Sequence, residues 1–403
     1  MKVVILTQYF PPEIGAPQNR LVEMAKGLVE RGCDVRVLTA MPNYPTGRIF
    51  DGYKGRFSTT EPLGTDSLSR DIQVYRYWLY PSNSPNKIPR ILSMLSFSAT
   101  SFFGLGKLKK WKPDYVISES PPLTLALTGL YLAKWSGASH IMNVSDLWPL
   151  SAKELGAISD GFVYRQFERL EHFLYRKSFA VTGQSQQILQ HIAERQATRT
   201  HLFRNGVDYT RFSTLENKPV SEPRKIVYAG LIGVAQGLKR YVKELKFADR
   251  NLELHIYGDG AEKDEVENYI KANPDCGIIM HGRVSRDRIP ALLSAHDGIF
   301  APLTRPIFGA VPSKIYEGMA AGVPILFAGG GEGQELIDRF EAGFSAEPGN
   351  IEDMQSMLDN FASNDEEQLR RKGENGRKAA REVFDRRIQL DSFANFLNKN
   401  INS

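Results

Sequence analysis

The residues best suited to do chemistry lie in the stretch GAVPSKIYEGMAAGVPIL, residues 309–326. Pro312 and Ser313 predict a helix start, because proline suits a first turn and serine can cap free N–H groups. A helix N-terminus attracts anions, and Lys314 adds a full positive charge there. One turn later, Glu317 offers a carboxylate that can accept two hydrogen bonds from a vicinal diol.

A nucleotide would fit this pattern, with its phosphates at the helix start and its ribose one turn inward. The alternative, from spacing alone, is an ordinary surface helix on which Lys314 and Glu317 form a solvated i,i+3 pair. Ile315, Met319 and Ala320 recur at helical spacing, so both interpretations require the helix.

A second group of candidate residues follows two predicted strands in the first half of the chain. Asp146 and Trp148 come after the strand HIMNV, and Asn43 and Tyr44 lie in the loop MPNYPTGR. Parallel sheets bind ligands beyond the carboxyl ends of their strands, so these residues are candidate ligand contacts. Asp146 could instead cap the following helix, and Trp148 could be a buried aromatic rather than a platform for a sugar ring.

The elements that must position these residues form two successive α/β units. A strand, a glycine-containing loop, a helix and a second strand open the chain, which is typical of a doubly wound sheet. The opening unit has no G-x-G-x-x-G, so it carries no dinucleotide fingerprint. With 403 residues, the chain also exceeds the size at which one core stops growing. Strands are predicted within residues 2–7, 34–40, 71–81, 114–123, 140–152, 180–184, 225–233, 252–260, 277–284, 296–303 and 323–327.

Composition excludes several classes of protein. Two cysteines are too few for a disulfide framework or a cysteine-rich zinc site, and they fit a reducing compartment. The histidines do not pair at metal-ligand spacing, so we interpret them as structural. The apolar run at the N-terminus is too short for a signal peptide, and no run of about 18 apolar residues predicts a membrane span.

Charge is distributed unevenly along the chain. The net charge is +5, but residues 1–205 hold 25 Lys and Arg against 16 Asp and Glu. Residues 87–112 combine an apolar, aromatic middle with basic residues at the edges, which is typical of a segment lying on an anionic bilayer. The alternative is a buried helix with solvated ends. No nucleic-acid recognition motif accompanies the basic half, so nucleic acid is not an expected partner.

Several motifs, in order along the chain, resemble family 4 of the retaining glycosyltransferases. They are QYFPPEIGAPQNR, SDLWP, NGVDYTRF, IYGDG and PSKIYEGMAAGVPIL, and the resemblance covers essentially the whole chain. It is strongest with the bacterial surface-polysaccharide branch, whose members act on amino sugars such as N-acetylfucosamine.

The resemblance implies an α/β protein of the GT-B fold, in which two Rossmann-like doubly wound domains face each other across a cleft. Residues 1–203 would form the acceptor domain, completed by a C-terminal helix at 385–403 that crosses back to it. Residues 204–384 would form the nucleotide-sugar domain. The family also implies retention of anomeric configuration and no metal or other cofactor.

The resemblance also implies roles for individual residues. Glu317 matches the glutamate that binds the donor ribose, and Ser313 and Lys314 match the helix N-terminus that meets the diphosphate. Gly15 matches a glycine loop of the first domain that touches the diphosphate. Asp146 lies near the position that contacts the transferred sugar or the acceptor.

Other predicted contacts surround these. Arg283 and Val284 fall where backbone groups hold the base, and Gly230 belongs to the donor site at the strand that opens the second domain. Asn43, Tyr44 and Trp148 are assigned with Asp146 to acceptor binding.

The sequence departs from the family at two places. The family carries a second glutamate eight positions before Glu317, where this chain has Gly309, so the carboxylate that usually holds the donor sugar is missing. A sugar that offers different groups, such as an N-acetylated or deoxy sugar, would fit that change. The usual Arg and Lys after the first strand of the second domain are replaced by Leu231 and Gln236. The cations expected to balance the leaving diphosphate are, in order, Lys314, Lys239, Arg283 and Arg305.

The expected reaction transfers a sugar from a nucleotide donor, with uridine favoured by family frequency. The expected acceptor is a saccharide or a polyprenyl-diphosphate-linked saccharide, at the cytoplasmic face of the cell membrane. Lys314 would stabilise the leaving group, and Asp146 would act as an acceptor-side base or orienting group in a front-face reaction. The alternatives are a nucleotide-sugar epimerase or a sugar phosphorylase on the same fold, and a non-catalytic binding or scaffold subunit.

Overall fold

The computed structural model describes residues 1–84, 86–154, 158–197, 199–213 and 220–401. The chain divides into two compact units. The first unit is Met1–Arg204 with Gln389–Ser403, and the second unit is Asn205–Ile388. Each unit has its own sheet and its own buried cores, which confirms the predicted architecture of two α/β units.

The sheet of the first unit contains eight strands among the described residues. They are β1 (Lys2–Leu6), β2 (Asp34–Ala40), β3 (Ser58–Pro62), β4 (Gln73–Tyr77), β5 (Tyr115–Ser120), β6 (Ser139–Val144), β7 (Ala180–Gly183) and β8 (Thr200–Leu202). They lie in the order β3-β4-β2-β1-β5-β6-β7-β8. All neighbours are parallel except β3, which is antiparallel to β4.

Helices cover both faces of this sheet. They are α1 (Ala16–Glu30), α2 (Ser67–Asp71), α3 (Lys87–Thr100), α4 (Leu105–Trp111), α5 (Leu123–Ser136), α6 (Leu150–Glu154), α7 (Phe162–Lys177) and α8 (Gln186–Glu194). A 3₁₀ turn at Ser101–Gly104 joins α3 to α4. The central strands β1, β5 and β6 are buried along almost their whole length, as expected for a parallel sheet between two layers of helices.

The sheet of the second unit is parallel throughout. Its strands are β9 (Arg224–Leu231), β10 (Leu252–Asp259), β11 (Ile278–Gly282), β12 (Gly298–Pro302), β13 (Ile325–Ala328) and β14 (Gly343–Ala346). They lie in the order β11-β10-β9-β12-β13-β14, so the chain reverses direction across the sheet between β9 and β12. A reversal of this kind opens a crevice at the carboxyl ends of the strands, where ligands bind in α/β proteins.

The helices of the second unit alternate with its strands. They are α9 (Leu238–Glu244), α10 (Lys263–Ala272), α11 (Ile289–Ser294), α12 (Ser313–Ala321), α13 (Gly331–Arg339), α14 (Ile351–Ser363) and α15 (Glu366–Glu382). Helix α15 packs closely on the end of α12, where a Cβ atom at Gly373 would lie 2.1 Å from the carbonyl oxygen of Gly322. Arg377 donates a hydrogen bond of 2.9 Å to the Ala321 carbonyl, which satisfies the negative end of the α12 dipole.

The last helix, α16 (Arg386–Asn400), begins in the second unit and completes the core of the first. Leu390, Phe393 and Leu397 are buried there with α1 and the sheet. The Tyr115 hydroxyl donates a 2.9 Å hydrogen bond to the Leu397 carbonyl. The return of the amphipathic C-terminal helix to the first domain is therefore confirmed.

The two segments where the chain changes unit are paired with each other. Val207 forms a parallel bridge with Asp385, through bonds from Val207 N to Phe384 O (2.9 Å) and from Arg386 N to Val207 O (2.8 Å). Gly206 has φ +56°, and a Cβ atom there would lie 2.4 Å from the Phe384 carbonyl oxygen. Both the backbone conformation and the close contact therefore require glycine.

Three strands were not predicted from the sequence. β3 is polar and alternates exposed with half-buried residues, and β8 and β14 are only three and four residues long. Short strands give too few residues for a period to be recognised, and β3 has no buried residue that would mark a core face.

One segment passes a test of length and composition for a membrane span, although it contains no run of about 18 apolar residues. Ile88–Trp111 is 24 residues long with a hydropathy of 1.3, which is long and apolar enough for a span by composition. Serine, threonine and glycine interrupt its apolar residues without lowering the mean hydropathy much. In the structure, Phe97, Leu108 and Trp111 of this segment contribute to the core of the first unit. Core helices meet the same criterion, so one such segment is weak evidence for a span.

Candidate functional site

The carboxyl edge of the second sheet carries the start of α12. The helix begins at Ser313, so Pro312 rather than Ser313 occupies the N-cap position, and no side chain caps the helix. Ser313 is exposed at this end. Because the first N–H groups of a helix have no partner within it, this N-terminus can bind an anion.

Lys314 supplies a desolvated cation beside those N–H groups. Its Nζ atom lies 5.1 Å from the centre of the Tyr228 ring, and a Cβ atom at Gly230 would lie 2.6 Å from Nζ. Burial lowers the pKa of Lys314, and the Glu317 carboxylate opposes that change. Lys314 makes no hydrogen bond or ion pair with another described residue, so its charge is available to an anionic ligand.

Glu317 lies one turn further along α12 and is half-buried. Burial raises its pKa, while the positive charges of Lys314, Arg211, Arg286 and Arg386 act in the opposite direction. Its carboxylate makes no hydrogen bond with another described residue, so it can accept bonds from a ligand. The three arginines were missed from the sequence because they come from three distant segments, although Arg211 lies in the motif NGVDYTRF.

Tight backbone packing shapes the neighbouring loops. A Cβ atom at Gly258 would lie 1.9 Å from the Gly230 carbonyl oxygen, and one at Gly260 would lie 2.3 Å from the Ile232 carbonyl oxygen. The ends of β9 and β10 therefore approach each other as bare backbone. Gly230 has φ +154°, a backbone conformation that side chains rarely adopt, and a Cβ atom there would displace the flexible Lys314 ammonium.

Two of the four predicted diphosphate cations are already paired. Lys239 forms an ion pair with Glu265, and Arg283 donates a 2.8 Å hydrogen bond to Asp259. Arg305 lies exposed on the loop after β12 and makes no ion pair with another described residue. The geometry therefore favours Lys314 and Arg305 over Lys239 and Arg283 as cations for an anionic ligand.

The loop after β11 carries the residues predicted to hold a base. The Arg283 side chain is 80% exposed, and its partner Asp259 also accepts a 2.8 Å bond from Gly260 N. A second contact fixes the backbone at the end of this loop, where Arg211 donates a 2.6 Å hydrogen bond to the Arg286 carbonyl. Val284 lies half-buried between Arg283 and that second contact.

Apolar side chains are exposed at the same edge. Leu231 is 63% exposed, Val234 73% and Phe308 40%. Gly309, which follows Phe308, is buried and has φ +79°. No carboxylate stands at that position, and the preceding Phe308 contributes exposed apolar surface.

In the first unit, Gly15 ends the loop after β1 and precedes α1. Its φ of 173° is extended backbone that any residue adopts. A Cβ atom there would lie 2.5 Å from Gln18 Oε1, the flexible end of a side chain, so the position is crowded rather than strained. Helix α1, like α12, starts without a side-chain cap.

Glu13 joins two loops at the carboxyl edge of the first sheet. Its Oε1 atom accepts bonds from Asn43 N (2.7 Å) and Tyr44 N (2.8 Å), and its Oε2 atom accepts from Phe10 N (3.2 Å). Burial raises the pKa of Glu13, and these backbone donors oppose that change. Tyr44 in turn meets Tyr9 edge to face, with ring centres 5.8 Å apart. Sequence reasoning selected Asn43 and Tyr44 but missed the carboxylate that holds them.

Asp146 lies just beyond β6 and is reached by solvent. The protein surrounds it closely enough that desolvation raises its pKa, and the Arg20 charge opposes that change. Arg20 pairs with Glu119, whose Oε2 atom accepts a 2.6 Å bond from Asn143 Nδ2. Asp146 makes no hydrogen bond with another described residue, which argues against the interpretation that it caps α6.

Trp148 packs its ring edge to face on Phe167, with centres 4.5 Å apart. One side of the indole is therefore occupied by the protein, and the residue is half-buried. Among the described residues, no group of three or more His, Cys, Asp or Glu side chains could hold a metal ion.

Family models match both units. Residues 15–206 match the model described as "Glycosyl transferase 4-like domain", and residues 213–379 match "Glycosyl transferases group 1". A putative colanic acid biosynthesis glycosyl transferase of Escherichia coli K12, WcaI, is 27% identical over 340 residues, covering 80% of this chain and 82% of the relative.

Solved structures share the fold. A sucrose-phosphate synthase from Thermosynechococcus elongatus superposes with a TM-score of 0.74 at 13% identity, covering 99% of this chain and 98% of the other. HepE from Anabaena, solved in complex with UDP and glucose, has a TM-score of 0.66 at 16% identity, covering 99% and 100% of the two chains. At these identities the similarity shows the fold alone, and that fold is GT-B.

The Glu13 contacts predict a local opening of the loop at residues 41–48. Glu13→Ala leaves the N–H groups of Asn43 and Tyr44 without acceptors, at a cost of roughly 1–3 kcal/mol for each buried donor. Hydrogen exchange followed by mass spectrometry should show faster exchange in this loop. Glu13→Gln keeps one carbonyl acceptor and should have a smaller effect.

Glu30→Ala, which removes an exposed carboxylate from α1, is the control and should leave the exchange unchanged. Equal protection of residues 41–48 in Glu13→Ala and in the wild type would contradict the role assigned to Glu13.

Proposed function

The chain joins a glycosyl transferase 4-like domain to a group 1 glycosyl transferase domain, so it is a glycosyltransferase. We propose that it transfers a sugar from a UDP-linked donor in polysaccharide biosynthesis. The acceptor in this proposal is a saccharide or a polyprenyl-diphosphate-linked saccharide, and the anomeric configuration is retained. The observation that carries the proposal is the uncapped start of α12, with Lys314 unpaired beside it and Glu317 one turn further.

The donor diphosphate would lie at the start of α12. Lys314 has lost hydration without gaining an anionic partner, so a diphosphate oxygen would restore the interaction that burial removed. Arg305 is the second cation free to approach the same ligand, and the uncapped N–H groups add their dipoles. The resemblance adds Gly15 as a contact from the first domain.

The nucleoside would lie between Glu317 and the loop after β11. The Glu317 carboxylate has open acceptor positions for the two ribose hydroxyls. Backbone groups of Arg283 and Val284 would hold the base. Uridine is supported by the family resemblance and by the UDP complex of HepE, a protein of the same fold.

The transferred sugar would meet apolar surface. Gly309 supplies no carboxylate for sugar hydroxyls, and Leu231, Val234 and Phe308 are exposed at this edge. A sugar with a methyl group, either from an N-acetyl substituent or from a 6-deoxy carbon, would cover that surface. This supports an N-acetylated deoxy sugar over an unmodified hexose.

The reaction would break the bond between the anomeric carbon and the leaving phosphate oxygen. Charge develops on the diphosphate while the sugar becomes oxocarbenium-like, as in glycoside hydrolysis. Lys314, Arg305 and the helix dipole supply the compensating positive charge, which supports a reaction that needs no metal. A double displacement would require a carboxylate nucleophile beside the anomeric carbon, and Glu317 is committed to ribose. A front-face reaction is therefore proposed, in which the departing phosphate takes the acceptor proton.

Asp146 would orient the acceptor hydroxyl from the first unit. Its solvent-reached carboxylate makes no bond with another described residue, and the Arg20 charge nearby favours its ionised form. Asn43, Tyr44 and the open side of Trp148 would line the acceptor subsite. Their position beyond the carboxyl ends of β2 and β6 supports this assignment.

The exposed face of α3 supports an acceptor delivered at the cytoplasmic face of a membrane. Ile88 is 72% exposed, and Ile91, Leu92 and Leu95 are each close to half exposed. Lys109, Lys110 and Lys112 of the next helix are exposed as well, whereas Lys107 donates a 2.6 Å bond to Thr60. Apolar residues beside cations are typical of a surface that contacts anionic lipid.

Calorimetric titration with UDP and GDP tests the donor site. Wild-type protein should bind UDP in preference to GDP, and Glu317→Ala should lose most of that affinity because the ribose hydroxyls lose their acceptor. Glu335→Ala, which removes a carboxylate from α13, is the control. Equal UDP affinity in Glu317→Ala and wild type would contradict the assignment, and absence of binding to either nucleotide would favour a scaffold subunit.

Lys314→Ala tests the leaving-group cation. Removing one preorganised charge-stabilising group costs roughly 3–4 kcal/mol, so kcat for release of UDP from the preferred UDP-sugar should fall on the order of 100-fold or more. Lys263→Ala, in which an ion-paired lysine of α10 is lost, should leave kcat unchanged. A fall in affinity for the donor with no change in kcat would show that Lys314 serves binding only.

Sedimentation with vesicles tests the α3 face. The wild type should bind vesicles that contain anionic lipid, and the double variant Leu92→Ser with Leu95→Ser should bind less, because it removes about half of the exposed apolar face. Ile279→Ser removes a comparably exposed side chain from the second unit and serves as the control. If the double variant sediments as the wild type does, α3 is not the contact surface.

A further inference from the structure

Three aromatic rings form a ladder at the β10–β11 edge of the second sheet. His281 of β11 lies between two side chains of β10, parallel to both. Its ring centre is 4.3 Å from that of Tyr257, with an angle of 5° between the planes, and 5.1 Å from that of His255, with an angle of 8°. His296, from the segment between α11 and β12, meets His255 edge to face at 5.0 Å.

A line of hydrogen bonds runs along the ladder. Glu253 Oε2 lies 3.2 Å from His255 Nε2, and His255 Nδ1 lies 2.9 Å from His281 Nε2. The carboxylate can only accept, so His255 Nε2 carries a hydrogen. His255 Nδ1 then accepts from His281, or, when His255 is charged, donates to it.

The contact between the His255 and His281 rings tolerates one extra proton but not two. A single proton on His255 is balanced by Glu253 and leaves one hydrogen between the two rings. A second proton, on His281, would place two N–H groups 2.9 Å apart with no acceptor between them. The contact would then be repulsive, and the rings would have to separate.

The ladder supports the loop that follows β11. His281 lies two residues before Arg283, and Tyr257 lies two residues before Asp259, which accepts the Arg283 hydrogen bond. Tyr257 packs against the same hydrophobic core as Ile289 and Leu292 of α11, the helix that follows the loop. The path of the loop backbone therefore depends on where the ladder holds the end of β11.

We propose that the Tyr257–His281–His255 ladder positions the loop at residues 282–285 to receive the nucleoside, with His281 as a positioning residue, and that a doubly protonated ladder releases this loop. The inference rests on the proposed function, since it concerns the same donor site. It adds a pH-dependent control of donor binding that acts through groups with no contact to the ligand.

The direction of the pH effect follows from the surroundings of His281. His281 is exposed at the sheet edge, and partial desolvation of its ring lowers its pKa, which the neighbouring His255 lowers further. The groups that face the two histidines are Glu253 and Tyr257 on β10 and His296 from the α11–β12 segment. The pKa of His281 is lower in the folded protein than in the unfolded chain. The neutral ladder therefore holds the loop fully above the ordinary histidine pKa of about 6.5, and this contribution is lost as pH falls through the pKa of His281 in the folded protein.

Calorimetric titration with UDP at pH 7.5 and pH 5.5 tests the proposal on three proteins. His281→Phe keeps a flat ring in the stack but cannot be protonated, and His281→Ala removes the ring. Both proteins are compared by the fold-loss of UDP affinity from pH 7.5 to pH 5.5. We expect this loss to be about tenfold larger in the wild type than in His281→Phe. Comparing the two proteins cancels the ionisation of UDP itself. His281→Ala should bind weakly at both values.

Each outcome distinguishes the two proposals. UDP binding with the same pH dependence in wild type and His281→Phe, or wild-type affinity in His281→Ala, overturns the role of the ladder and leaves the proposed function intact. Absence of UDP binding by the wild type at both pH values overturns the proposed function, and the inference with it. Hydrogen exchange of residues 282–286 should be faster in His281→Ala than in His281→Phe, which separates loop positioning from a general loss of fold.

Discussion

The carboxyl edge of the second unit depends on one unfavourable feature, a half-buried lysine whose ammonium has lost hydration and makes no ion pair with another described residue. Lys314 is tolerated because the Tyr228 ring lies under its charge and because Gly230 leaves it space. That space in turn requires β9 and β10 to end as closely packed bare backbone at Gly230 and Gly258. A cation kept in this way interacts strongly with an incoming anion, since little hydration has to be removed on binding.

The carboxyl edge of the first sheet contains a buried group of the opposite charge. Glu13 is a buried carboxylate, and backbone N–H groups from two loops replace the water it has lost. With its acceptor positions occupied, Glu13 shapes the edge and is unsuited to act as a base. Asp146 at the same edge is reached by solvent and has no such donors, so it can meet a ligand. The two carboxylates therefore differ in environment, because Glu13 is held by the protein and Asp146 is open to solvent.

Much of this could be predicted from the sequence, because most of the strands are apolar runs and the motif around Lys314 and Glu317 is local. β2 was predicted at its observed bounds, and the helix start at Pro312–Ser313 was displaced by a single residue. Features that depend on distant segments could not be predicted. The pairing of Lys239 with Glu265 joins two helices across 26 positions, and the arginines around Glu317 come from three separate parts of the chain. Local periodicity carries no information on such contacts.

The return of α16 to the first unit has a consequence for biosynthesis. Leu390, Phe393, Ala394 and Leu397 of α16 fill a core whose other buried residues precede position 204. The ribosome must therefore make the whole second unit before the first can close, and the first unit keeps an apolar groove exposed throughout that interval. A chaperone that covers apolar surface would have its longest opportunity to bind at this groove. A chain cut short within α16 would remain in that state, with its second unit folded and its first incomplete.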